Sequence, residues 1–103
     1  MSEDAAVKQW PTVDVFAAEM QRQLGANAHK GGWLGCEPNW LASELQMHMS
    51  RLMRAVNSCP RPPAPAEKRA ALADDAADVA NFAMMIADVM GALDGEHEKE
   101  AGA

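Results

Sequence analysis

The chain has 103 residues and carries 15 acidic against 9 basic side chains, which gives a formal net charge of −6 at pH 7. This length suits one domain, and the acidic balance argues against a general nucleic-acid-binding protein, which would present a basic face. Tyrosine is absent, whereas alanine and methionine are frequent. We therefore predict an all-α fold in a single domain over residues 1–103.

The cysteines and the apolar segments indicate a cytoplasmic protein. Cys36 and Cys59 form no Cys-x-x-Cys motif, so we expect free thiols in a reducing compartment. The first residues are acidic and lack an apolar run, so no signal peptide is expected. The longest apolar stretch, 80–93, is interrupted by Asn81 and Asp88. It is too short to span a bilayer, and we expect no membrane contact.

The first predicted helix covers residues 13–28 and follows a segment, 1–11, that we expect to be disordered. A glycine-rich loop over 29–36 comes next, since three of five consecutive positions from Gly31 to Gly35 are glycine. In this loop, Lys30 is placed to meet a phosphate and Trp33 to stack on a base. The alternative is a plain helix connector in which Trp33 covers the core.

The second predicted helix covers 38–57. Glu44, His48 and Arg51 lie beside its apolar row at spacings of four and three, so they share one face. Such a polar row is most often a solvated flank with favourable acid-to-base pairing. Residues 57–66 contain four of the six prolines and form a semi-rigid connector that cannot continue a helix.

The third helix is predicted to begin near 65–67 and to end near 91–95, before a charged tail, 95–103, that we expect to be disordered. One of its faces carries Asp75, Val79, Phe82, Ile86, Val89 and Leu93. Asp75 would thus occupy an inward position, with Asp78 one turn later on an adjoining row. An inward acid needs a partner. Two interpretations remain open at this point. Either both carboxylates bind one cation, or the pair belongs to a solvated flank of the helix.

Several motifs together resemble the MazG-like family of all-α nucleoside triphosphate pyrophosphohydrolases, in particular its short phage-encoded members. These motifs are Phe16-Ala17-Ala18-Glu19-Met20, His29-Lys30-Gly31-Gly32-Trp33, Trp40-Leu41, and the string from Asp75 through Asp78 to Asp88. They extend over about residues 13–90. The resemblance implies a MazG-like helical bundle of about three main helices per chain, completed by oligomerisation.

The resemblance also implies a reaction, in which an NTP or dNTP is hydrolysed to the monophosphate and pyrophosphate with the help of Mg²⁺ or Mn²⁺. The implied metal ligands are Glu44, Asp75 and Asp78. The implied catalytic residues are Glu44 and His48. Lys30, Trp33 and Asn81 are the implied substrate-binding residues. Carboxylates suit this role because magnesium binds a few of them together with water and phosphate oxygens.

The second helix departs from the family pattern, because Met47, His48 and Arg51 occupy positions where the family has acids. His48 as a ligand would shift the preference from magnesium toward manganese. The fixed charge of Arg51 could instead neutralise Asp75 and Asp78. The alternative function is therefore a catalytically inactive binding or regulatory protein of the MazG fold in which Arg51 replaces the metal. A plain helical interaction module is a third possibility.

The third helix is predicted to build an oligomer interface. It is apolar nearly all round, and Met84, Met85 and Met90 add apolar surface that a three-helix core cannot enclose. We therefore expect a homodimer or a homotetramer.

Overall fold

The computed structural model describes residues 9–59 and 61–93. It contains α1 (Pro11–Ala26), a short 3₁₀ helix (Ala28–Lys30), α2 (Pro38–Asn57) and α3 (Ala66–Val89). No strand occurs in this part of the chain, which confirms the all-α class. The expected disorder of 1–8 and of 95–103 falls outside the described residues.

Prolines fix where α1 and α2 begin. Pro11 and Pro38 each occupy the first turn, where the missing N–H costs nothing and the fixed φ angle suits a helix. The limits of α2 agree with the prediction of 38–57. Helix α1 begins two residues earlier than predicted, so Pro11 belongs to a helix and not to a disordered segment.

Gly91 determines where α3 ends. Its φ angle is +76°, a left-handed conformation that glycine adopts without steric cost. The N–H of Gly91 donates to the carbonyl of Asp88 at 3.0 Å, and the N–H of Ala92 donates to the carbonyl of Ala87 at 2.8 Å. These two bonds form a Schellman motif, which satisfies carbonyls that the last turn would leave unpaired.

Helices α1 and α2 both pack against α3, whereas they scarcely contact each other. The direction of α1 follows from its contacts, since Met20 meets Asn81 and Gln23 meets Asp78. Thus α1 runs antiparallel to α3. Helix α2 also approaches Asp78, through His48. The result is an open arrangement, in which α1 and α2 stand on two sides of a space and α3 forms its base.

The buried face of α3 differs from the predicted one. Ala77 is fully buried, and Asn81 and Asp88 are 3% and 9% exposed. By contrast, Asp75 on the predicted inward face is only half-buried, and Leu93 is exposed. The two faces lie about 140° apart around a helix of 3.6 residues per turn. Because α3 packs against two helices, its deepest row need not be its most apolar row.

Arg22 ties α1 to the beginning of α3. Its guanidinium donates to Asp74 and, at 3.0 and 3.1 Å, to Glu19 one turn earlier. The hydrogen bond from Arg22 lowers the pKa of Glu19 and raises that of Arg22. Because the pKa of the acid is lowered on folding, its contribution to stability is present at neutral pH and is lost as the pH falls through the folded value.

We predict that Leu41→Ala lowers the free energy of unfolding by about 2–5 kcal/mol, because Leu41 is fully buried and its truncation leaves a cavity. Urea denaturation measures the change. Met53→Ala on the same helix is the matched control, since Met53 is 60% exposed. Similar losses in both variants would contradict the described core.

Candidate functional site

A cleft of about 800 Å³ lies between α1 and α2, with α3 beneath it. It forms because two helices that pack on a common third helix, and not on each other, leave a gap between them. Its lining combines aromatic rings, two cations, two acids and several amides. Among the lining residues are Gln23, Asn27, Lys30, Trp33, Trp40, Glu44, His48, Arg51, Asp78, Asn81 and Phe82.

Asp78 joins all three helices at this cleft. Gln23 of α1 donates from Nε2 to Asp78 Oδ1 at 2.9 Å. On the opposite side, Nδ1 of His48 in α2 lies 3.6 Å from Asp78 Oδ2. The His48 ring also stacks on Phe82, with 4.9 Å between ring centroids. The imidazole is therefore held by a ring on one side and faces a carboxylate at its edge.

Asn81 places an unpaired acceptor beside the cleft. Its Nδ2 donates to the carbonyl of Met20 at 3.1 Å, which fixes the amide against α1. Its Oδ1 is buried and has no hydrogen-bond partner among the described residues. A buried polar atom without a partner costs free energy. Asn81 is thus a side chain whose hydrogen bonding a ligand or water could complete.

The glycine-rich loop runs lengthwise along the cleft. Gln23 contacts Asp78, whereas Trp33 donates from Nε1 to Asp88 Oδ2 at 3.0 Å. Those two aspartates are about 15 Å apart on α3, at 1.5 Å per residue. The chain between Gln23 and Trp33 therefore runs along α3 from the level of Asp78 to that of Asp88. Gly31 has a φ angle of +86°, which a side chain would disfavour at this turn.

Trp33 is an anchor in this arrangement. Its indole is half-buried and its N–H is bonded to Asp88, which fixes the ring in the lining of the cleft. Trp40 also lines the cleft and is 52% exposed. The sequence could have indicated Trp40 as a cleft residue. It lies four residues before Glu44, on the helix face that also carries His48 and Arg51.

The structure brings six of the seven predicted site residues into one cleft, although they are far apart in sequence. These are Lys30, Trp33, Glu44, His48, Asp78 and Asn81. Asp75 does not line the cleft, and within the described residues its side chain makes no hydrogen bond or ion pair. Gln23 was not predicted from the sequence, because its partner is 55 positions away.

The predicted pairing of Arg51 with the aspartates does not form. Arg51 lines the cleft, yet no ion pair joins it to Asp75 or Asp78 in the part of the chain that is described. Within 9–59 and 61–93, no three His, Cys, Asp or Glu side chains are grouped so as to hold a metal ion. The implied ligand set of Glu44, Asp75 and Asp78 is thus not assembled in this conformation.

No family model matches the chain, and neither a curated protein nor a solved structure matches it. The likeness to the MazG-like family therefore rests on the sequence motifs alone. Across the described residues, no helix has both the length and the apolar character that crossing a membrane requires.

We predict that Trp33→Phe loosens the glycine-rich loop, because it removes the N–H that donates to Asp88 and keeps most of the ring. The expected loss of stability is about 1.5–3 kcal/mol, typical of a hydrogen bond to a charged group. Chemical denaturation gives the loss, and amide hydrogen exchange should quicken over residues 28–36. The control is Trp40→Phe, at an exposed ring. Equal protection of the loop in both variants would contradict the anchoring role.

Proposed function

We propose that this protein is a MazG-like nucleoside triphosphate pyrophosphohydrolase whose active site is the cleft between α1 and α2. The substrate is an NTP or dNTP, and the products are the monophosphate and pyrophosphate. One observation supports the proposal most. Residues from the loop, α2 and α3 that the motifs single out line one cleft, with cations for phosphates and rings for a base.

A divalent ion fits this cleft only in part. Glu44 and Asp78 are its two carboxylates, and the described residues offer no third ligand grouped with them. Magnesium in proteins is commonly bound by one or two carboxylates together with substrate phosphates. The two acids therefore suit an ion that arrives with the nucleotide. When bound, such an ion neutralises phosphate charge and favours attack by water.

The side chains of the cleft have separable roles in the proposed reaction. Lys30 would contact the phosphates, and Asn81 would offer its unpaired Oδ1 to a donor on the substrate. Glu44 or His48 would accept a proton from the attacking water. Because Nδ1 of His48 faces Asp78, its Nε2 is the nitrogen available for that proton.

A second candidate is a nucleotide-binding or regulatory protein that does not hydrolyse its ligand. The observation that favours it is the presence of Arg51 in the cleft together with the missing third ligand. A guanidinium repels a metal ion at short range and reduces the need for one. The two candidates share the cleft and differ in whether pyrophosphate is released.

The hydrolase proposal predicts pyrophosphate release from at least one member of a panel of NTPs and dNTPs in the presence of Mg²⁺ or Mn²⁺. Asp78→Asn should lower the rate at least about tenfold to a hundredfold, the loss typical of removing a group that only orients a metal ligand. Asp14→Asn is the control, since Asp14 is exposed on α1 and does not line the cleft.

Asp75→Asn then decides whether Asp75 belongs to the ligand set, and a loss equal to that of Asp78→Asn would place it there. No pyrophosphate from any nucleotide, while a nucleotide still protects the protein against thermal unfolding, would favour the second candidate.

We also propose that the chain forms a homodimer or homotetramer. The described apolar surface is concentrated on α2 and not on α3 as expected, since Met84 and Met85 are half-buried. The large exposed apolar side chains of α2 are Trp40, Met47, Met49, Met53 and Val56. Met49, Met53 and Val56 follow one another at spacings of four and three, so they share one side of α2, and an exposed apolar row of this kind often marks an interface.

Sedimentation equilibrium at micromolar concentration tests the assembly. We expect Met53→Glu, on α2, to shift the protein toward monomer. Met90→Glu compares the end of α3, where the side chain is 64% exposed. A wild-type protein that sediments as a monomer would contradict an oligomer, and dissociation by Met90→Glu alone would return the interface to α3.

A further inference from the structure

Two cations of the cleft lack an acidic partner. Lys30 and Arg51 both line it, and neither side chain makes an ion pair or a hydrogen bond within the described residues. The cleft holds two acids, and neither forms an ion pair with Arg51 in the described residues. Asp78 accepts a hydrogen bond from Gln23 at one oxygen and faces His48 with the other. In a chain whose net charge is −6, two unpaired cations in one concave site are the feature to explain.

We propose that Arg51 is a phosphate-binding residue, which binds the polyphosphate of the nucleotide directly and without a divalent cation. Lys30 supplies the second positive charge. The nucleotide as ligand rests on the proposed function, whereas the anion site at Arg51 rests on the geometry. The MazG-like family pattern has an acid at this position. Where that acid would help to bind a metal ion, Arg51 binds the anion itself.

The chemistry of the side chain suits this role. A guanidinium presents a planar set of donors that matches two phosphate oxygens at once, and its charge is fixed at any physiological pH. Arg51 is exposed, so it reaches a ligand without first being released from a salt bridge.

The spacing along α2 orients the ligand. Trp40 and Arg51 lie on one face of the helix and both line the cleft. Eleven residues separate them, which is about 16 Å at 1.5 Å per residue. A ligand with a planar ring at one end and an anionic group at the other fits lengthwise, with its ring on Trp40 and its phosphates at Arg51. Asn81 lines the same cleft, with its unpaired acceptor.

The test is isothermal titration calorimetry in EDTA, with the full chain and three probes: a panel of nucleoside triphosphates, inorganic pyrophosphate, and the matching nucleosides. We expect triphosphate and pyrophosphate to bind without metal, with affinity that falls as salt is added. Arg51→Ala should weaken both about tenfold or more, and Arg51→Lys should weaken them less. Nucleoside binding should stay unchanged.

Arg54→Ala is the matched control, because Arg54 is exposed on the same helix and does not line the cleft. Circular dichroism establishes that each variant is folded. Nucleotide binding that requires Mg²⁺, or equal affinities in the Arg51→Ala and Arg54→Ala variants, would overturn the proposal.

The outcomes also separate this inference from the proposed function. Binding of pyrophosphate that depends on Arg51, without binding of any nucleotide, would uphold the anion site and remove the nucleotide function. Pyrophosphate release that requires metal and is unaffected by Arg51→Ala would uphold the hydrolase and remove the anion site.

Discussion

The described fold depends on the polar groups buried along α3 and on the bonds that satisfy them. Asn81 bonds to the backbone of α1, Asp88 to Trp33, and Asp78 to Gln23. Fully buried apolar side chains are few in the described part of the chain, where Leu41 and Ala77 have no exposed surface. Because unpaired buried polar groups are costly, these bonds fix the register of α1 and of the loop on α3 more narrowly than apolar contact does.

The same constraint creates the cleft. The groups that position α1 and the loop are on α3, so neither α1 nor the loop needs to touch α2 in order to be held. The space between α1 and α2 therefore stays open, and the side chains that hold the walls also line it. Asp78 illustrates the double role, since it bonds to Gln23 and faces His48 inside the cleft. A substitution at Asp78 consequently alters both the site and the packing.

Local signals in the sequence were sufficient for the helices. Pro38 and the proline-rich connector limit α2, and Gly91 ends α3. The prediction of the inward face of α3 is wrong, because apolar periodicity identifies the most apolar row of the helix. Apolar periodicity does not indicate that a helix packed between two neighbours buries Ala77 and Asn81 more deeply than its most apolar row. The motifs did single out most of the cleft residues, whereas pairs 52 to 61 positions apart, such as Arg22 with Asp74, leave no trace in a single sequence.

The balance of charge in the cleft bears on what the site can do. Lys30 and Arg51 oppose Glu44 and Asp78, so the lining is close to neutral within an acidic chain. A site built from three or four acids repels a nucleotide until a metal ion reverses its sign. This cleft contains two cations of its own, so metal binding need not precede nucleotide binding. Under the proposal above, Arg51 attracts the phosphates directly, so that nucleotide binding does not depend on a cation held by Glu44 and Asp78.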